Sequence, residues 1–246
     1  MLESIRDYCD SVESDTVFWC MGDETVLPLT MNWTESCKQL GIPMLYVALD
    51  LQSYHAMQCR VPTVHIPQGS HHVFVYKFII GQQIMQQDKN WFYTDVDCVA
   101  QKDYTQTVQQ HFALGADQLC QSVKQYAWLG YPLKRHGDYN CGTGMYGMRA
   151  TATNISMCNT DYLYANGYDS TCQLFVNTHI KHLTNTQVDL LDPIQFPTGH
   201  NFVQENDWAI WHVTGNYAYE DWDNTKDYLG VSAKIASLKM LVYWYI

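Results

Sequence analysis

Nowhere does the chain approach the run of roughly 18 apolar residues that a membrane-crossing helix requires. Its first residues, Met1-Leu2-Glu3-Ser4-Ile5-Arg6-Asp7, lack the basic-then-apolar order of a secretory signal. A soluble, cytoplasmic protein is the expectation. Basic residues are scarce, with 14 Lys and Arg against 25 Asp and Glu and a formal net charge of -11. The resulting field repels a polyphosphate backbone or an anionic lipid surface, so neither nucleic acid nor membrane is expected as a partner. A small anionic ligand would need local positive charge, which a metal ion can supply. The nine cysteines form no C-x-x-C pair and are odd in number, so they are expected to be reduced, mostly buried, small apolar residues. His71-His72 and the His179, His182 pair lack the neighbouring Cys or carboxylate spacing of a zinc motif. Asn32-Trp33-Thr34 and Asn154-Ile155-Ser156 match the N-glycosylation pattern, which recurs by chance. There is no internal repeat, low-complexity tract or obvious linker.

What is present is ample apolar material. In 246 residues, 47% apolar and 16% charged content suffices for one well-cored domain over 1–246. Thr16 to Cys20 reads as a buried strand, and Leu29, Trp33, Cys37 and Leu40 follow at helical spacing until Gly41 and Pro43 stop the helix. Met44 to Leu49 is a second strand. Val73, Lys77, Ile80 and Ile84 mark one face of another helix, which leads to a strand beginning at Trp91, and Phe112 to Ala116 reads as a further strand. This β-α-β-α-β order predicts an α/β fold with a Rossmann-like, mostly parallel sheet flanked by helices. Ligands of such sheets sit at the carboxyl ends of the strands, where Met21-Gly22-Asp23, Asp50 and Asp95-Val96-Asp97 fall.

The acidic segment Tyr93-Thr94-Asp95-Val96-Asp97 carries the chemistry. Residues i and i+2 of a strand point to one side, so Asp95 and Asp97 are expected to converge on one divalent cation. Further on, Asn140 to Gly147 holds three glycines in eight residues, read either as a tight turn or as backbone that approaches a ligand closely. Asp169 or Ser170 can cap a helix with Cys172, Phe175, Val176 and Ile180 on its apolar face. Leu190 to His200, with two prolines and a glycine, reads as a rigid loop before a strand from Trp208 to His212, and the apolar run Leu238 to Ile246 as a final packed element.

Taken in order, these segments resemble the nucleotide-diphospho-sugar transferases of the A-type glycosyltransferase fold, particularly relatives of plant cell-wall arabinosyl- and xylosyltransferases. The resemblance rests on Leu29 to Trp33, Val47-Ala48-Leu49-Asp50, Tyr93 to Asp97, Gly142-Thr143-Gly144, Leu191-Asp192-Pro193, Phe196 to His200, and His212 with Gly215-Asn216. It departs from the family at Cys141, where an asparagine-rich entry is usual, and at Cys172-Gln173, where Asp-Gln is expected.

The resemblance implies that Asp95, Asp97 and His212 bind Mn²⁺ or Mg²⁺ together with the diphosphate of a UDP-sugar. It implies that Cys20, Met21, Gly22 and Asp23 cradle the base, that the Val96 backbone meets the ribose, and that Lys77 adds positive charge at the diphosphate or sugar. Gly144 and Gly215 join this donor surface. The nucleotide-binding half is expected over about 1–100, and the half that receives a glycan acceptor over about 101–246. An inverting reaction needs a carboxylate base, for which Asp117 in Gly115-Ala116-Asp117-Gln118 is the candidate. A retaining one, which the cell-wall relatives imply, places Gln173 beside the reacting carbon. Two alternatives stand: a sugar-nucleotide hydrolase or nucleotidyltransferase, since paired aspartates also serve phosphate chemistry, and a non-catalytic glycan-binding module built on aromatic loops around Tyr217, Tyr219 and Trp222.

Overall fold

The computed structural model describes residues 4–124, 139–165, 172, 175–177, 186–198, 207–213, 231–240 and 243–246. Its centre is a seven-stranded sheet in the order β3-β2-β1-β4-β7-β6-β8. The strands are β1 (Thr16–Gly22), β2 (Leu45–Ala48), β3 (Thr63–His65), β4 (Asn90–Thr94), β6 (Gln118–Lys124), β7 (Tyr139–Met148) and β8 (Val188–Leu190). All run parallel except β7, which is antiparallel to both β4 and β6.

Alternation within the strands explains why both faces of this sheet are covered. Val17, Trp19 and Met21 of β1 enter one apolar cluster with Leu45 and Val47 of β2 and Trp91 and Tyr93 of β4. Phe18 and Cys20 enter the opposite cluster with Tyr46, Ala48 and Phe92. The side-chain period of two thus feeds two cores from one continuous apolar run, the signature of a sheet sandwiched between helices. One layer is supplied by α2 (Leu27–Gln39), whose Leu29, Trp33 and Cys37 are buried, and the other by α4 (Val75–Met85) with Phe78, Ile80 and Ile84. Pro28 near the start of α2 sits where its missing N–H costs nothing, and Gly41, at φ 70°, follows the helix end.

Two expectations change. Phe112 to Ala116 is not a strand: Phe112 lies in the last turn of α5 (Thr105–Ala113), buried with Val108 one helical turn earlier, and Gly115 at φ 105° turns the chain into β6. Nor is the glycine segment a turn, because Asn140 to Gly147 lies wholly within β7. Both potential glycosylation asparagines are fully buried. Asn32 donates to the Tyr243 carbonyl and accepts from the Tyr245 N–H, which ties down the C-terminal segment, and Asn154 donates to the carbonyls of Asp117 and Arg149.

A separate two-stranded ribbon, β5 (Cys98–Ala100) with β9 (Ile210–His212), leaves the sheet just beyond β4. It is held against α2 by the Ala100 N–H donating to Ser36 Oγ at 3.1 Å. The C-terminal helix α8 (Val231–Met240) follows in the chain, and Tyr243 beyond it packs on Trp208 and Trp211. Among the described residues no helix is long and apolar enough to cross a membrane.

Candidate active site

The carboxyl ends of β1, β2 and β4 share one edge of the sheet, and there the chain builds its polar cluster. Asp95 and Asp97 lie in the turn after β4, not in the strand, with the Cys98 N–H donating to the Asp95 carbonyl at 3.3 Å. Their convergence therefore comes from a reversal of the backbone and not from strand pleat. The turn is pinned on one side by the Asp95 N–H, 2.7 Å from the Gly144 carbonyl, and on the other by the Val213 N–H, 2.9 Å from the Asp97 carbonyl.

Register places His212 directly opposite Cys98 in the ribbon, and so beside Asp97. Its Nε2 lies 3.2 Å from Asp97 Oδ1 and 3.5 Å from Asp95 Oδ2. Its Nδ1 lies 3.0 Å from Gln121 Oε1. Gly144 makes room for the ring: a Cβ there would overlap His212 Cε1 and Nδ1 and come within 3.0 Å of Asp95 Oδ2. The close backbone approach that this glycine permits is thus to the protein's own imidazole.

Two lysines neutralise the acids. Lys77, 1% exposed, reaches from α4 to 3.5 Å from Asp95 Oδ1, donates to the Thr143 carbonyl at 2.5 Å and lies 4.0 Å over the Tyr93 ring. A buried ammonium is tolerated only with such partners. Lys234 of α8 donates to Asp97 Oδ2 at 2.6 Å. Burial by itself would raise the Asp97 pKa, but Lys234 and then His212 reverse this and hold the carboxylate well below its usual range. Burial likewise pulls Lys234 down, and Asp97 more than restores it, so this ammonium titrates above its ordinary value.

The two oxygens of Asp97 are divided, Oδ2 to Lys234 and Oδ1 toward His212. Among the described residues, ligand atoms of Asp97, Cys98 and His212 lie within 4.8 Å of one another, close enough to share a cation, and Asp95 Oδ2 borders the same space. Beside them opens a cleft of about 340 Å³, lined by Met21, Gly22, Asp23, Val96, Asp97 and Lys234 among others. Asp50 follows Leu49, which lines the cleft. It caps α3 (Leu51–Met57) through the Ser53 N–H at 2.7 Å and accepts the Glu24 N–H at 2.8 Å, and these donors outweigh desolvation to lower its pKa.

The structure therefore brings together Asp95, Asp97, His212, Lys77 and Gly144, with Met21, Gly22, Asp23 and Val96 along the cleft. Cys20 is separated from it: fully buried, it belongs to the apolar cluster beneath. Asp117 is separated too. It precedes Gln118, which is level with Met148 and through it with Trp91. Asp95 stands four residues further along, so at least roughly 13 Å of strand lies between the two. Asp117 is instead paired with Arg149 at 2.5 Å and accepts the Gln187 N–H at 3.0 Å, at the far edge of the sheet. Its placement removes it as the catalytic base. Gln173 and Gly215 lie outside the described residues, as do His179, His182, Tyr217, Tyr219 and Trp222. Asp192 caps its own loop, accepting the Ile194 N–H at 2.9 Å. Lys234 and Gln121 were not foreseen, since neither belongs to a short motif.

A model of the nucleotide-diphospho-sugar transferases matches residues 26–226, which takes in every one of these elements except β1 and the C-terminal helix. The chain belongs to that family. A comparison with curated proteins finds no significant sequence match. Among solved structures, the apo form of mouse xyloside xylosyltransferase 1 aligns with a TM-score of 0.56 at 11% identity, over 82% of this chain and 98% of the other. The apo structure of the bifunctional glycosyltransferase WbbM aligns at 0.57 and 12% identity, over 98% of this chain but 52% of the other. The glycosyltransferase GlyE of Streptococcus pneumoniae TIGR4 aligns at 0.54 and 11%, over 94% of this chain and 64% of the other. At these identities the likeness is one of fold, and that fold is the A-type glycosyltransferase fold.

Proposed function

We propose that the protein is a metal-dependent glycosyltransferase that moves a hexose or pentose from a nucleoside-diphosphate donor, UDP-linked, to a hydroxyl of a glycan. The observation that carries this reading is the convergence of His212 Nε2 with both Asp95 and Asp97 at the mouth of the cleft. Two carboxylates and an imidazole are a donor set that suits Mn²⁺, or Mg²⁺ with more water. When bound, such a cation would stabilise the charge that builds on the departing diphosphate as the bond from sugar to phosphate breaks.

The chain's own residues supply the rest. Lys234 holds Asp97 Oδ2, which leaves Oδ1 for the cation and turns the remaining ammonium hydrogens toward the cleft that it lines. Lys77 fixes Asp95 in the same way from the opposite side. Met21, Gly22 and Asp23 form the wall for the base, and the Val96 backbone, between the two acids, meets the ribose. Gln173 is proposed beside the transferred sugar on the strength of the family resemblance alone. Gly215 is proposed at the diphosphate on the same ground. The nine cysteines, free of disulfides, support a reducing, cytoplasmic setting.

Calorimetry with UDP, with and without Mn²⁺, tests the reading. Metal-dependent binding is expected in the wild type, and Asp97→Ala should abolish it and reduce turnover by on the order of 10²–10³-fold, as for loss of a preorganised charge at the leaving group. UDP binding indifferent to Mn²⁺ would sink it.

A further inference from the structure

We propose that Gln121 is the positioning residue for His212, setting both its tautomer and its aim. This rests on the reading of His212 as a cation ligand and adds how the ring is made ready for that task.

The argument starts in the sheet. β6 and β7 pair regularly from Gln118↔Met148 to Cys120↔Tyr146, and then Gln121 pairs with Gly142. The register skips Thr143, Gly144 and Met145 of β7: Met145 and Gly144 stay with β4 and the acidic turn through Thr94↔Met145 and the Asp95 N–H to Gly144 carbonyl bond, and the Thr143 carbonyl accepts from Lys77. This local break in the ladder lies where Gln121 reaches the His212 ring, itself seated on Gly144. Gln121 is 1% exposed, so every polar atom of its amide must find a protein partner.

Those partners orient the amide unambiguously. One end of it lies 3.4 Å from the Phe196 carbonyl and 3.3 Å from the Pro197 carbonyl. Two acceptors can be satisfied only by the NH₂ group, so the end that faces His212 Nδ1 at 3.0 Å is the carbonyl oxygen. A carbonyl oxygen cannot donate, and Nδ1 must therefore carry the hydrogen. In the neutral ring the free lone pair then sits on Nε2, the atom that faces Asp95 and Asp97. The same Pro197 carbonyl accepts the His212 backbone N–H at 3.0 Å, and Thr198 forms an isolated parallel bridge with His212. Backbone and ring of His212 are thus fixed by one knot of hydrogen bonds, with Gln121 as its side-chain member. Outer-shell partners of this kind are worth about 10–100-fold in metal affinity.

The test compares Gln121→Met, which keeps size and loses the acceptor, with Gln121→Glu, which keeps an acceptor and loses the donors. Long-range proton–nitrogen spectra of histidine-labelled protein, recorded at a pH where the ring is neutral, report the tautomer, with His212 assigned by its loss in His212→Ala. Mn²⁺ affinity is read by electron paramagnetic resonance without any nucleotide. Wild type should show hydrogen on Nδ1. Gln121→Met should lose that preference and weaken Mn²⁺ binding by about 10–100-fold, while Gln121→Glu should retain the tautomer and recover most of the affinity. A wild-type tautomer and wild-type affinity in Gln121→Met would overturn the proposal, as would hydrogen on Nε2 in Gln121→Glu. If His212→Ala binds Mn²⁺ as tightly as wild type, the cation reading itself fails, whatever Gln121 does.

Discussion

The imidazole of His212 rests against the bare Cα of Gly144, in the space a Cβ would occupy. Gly144→Ala forces either the ring or the acidic turn to move, because Asp95 Oδ2 borders the same space. The expected cost is about 1–3 kcal/mol, as for overpacking of a tight interior. For a chain of this size that lowers the unfolding midpoint by about 2–4 °C per kcal/mol. Mn²⁺ affinity should fall with it. An alanine variant with wild-type melting and wild-type Mn²⁺ binding would show that the ring does not sit there.

Asp117→Asn should separate stability from turnover. The wild-type carboxylate holds Arg149 and the Gln187 N–H at the sheet edge away from the acids. Loss of its charge should cost about 1–3 kcal/mol in stability. Transfer measured on folded protein should be unchanged. A variant that melts normally but no longer transfers sugar would restore Asp117 as the base.

The Asp97–Lys234 pair gives the metal-free protein a two-sided pH profile. Asp97 titrates below its ordinary value, so its contribution is complete above about pH 3.9 and drains away as the pH falls further. Lys234 titrates above its ordinary value, so its contribution is complete below about pH 10.4 and is lost as the pH rises further. Unfolding midpoints recorded in chelator should fall more gently on the acid side in Asp97→Asn, and on the alkaline side in Lys234→Met, than in wild type. Flanks that superimpose on those of wild type would mean that the pair contributes nothing to folding.

Strands β1, β2 and β4 were legible because they are continuous apolar runs whose alternate residues serve two cores, and α2 because Leu29, Trp33 and Cys37 keep helical spacing. By contrast, β3 and β8 are only three residues long and β6 and β7 interleave polar residues and glycines, so none of these four stands out as a strand. Phe112 misled because a short apolar run at a helix end looks like a strand when its helical partner Val108 is set in a glutamine-rich stretch. The acidic pair was legible as a pair, but a strand rule gave the wrong geometric reason for its convergence. Lys77 was found because it falls on a periodic helix face that leads to the acids. Gln121 and Lys234 carry no such local mark. Gln121 reaches His212 through a skipped register and Lys234 reaches Asp97 across 137 positions, relationships that tertiary structure alone creates.

That distance has a consequence for the order in which the protein becomes competent. The parallel strands β1 to β4 are all encoded before residue 95, whereas the imidazole that faces the acids arrives with β9 and the ammonium with α8. A chain still being synthesised can bury most of one apolar cluster and display both aspartates with Lys77 already beside Asp95, while neither partner of the Asp97 carboxylate has yet been made. The cluster is thus complete only once residue 234 has emerged, and a stop before residue 212 leaves the two carboxylates without either His212 or Lys234.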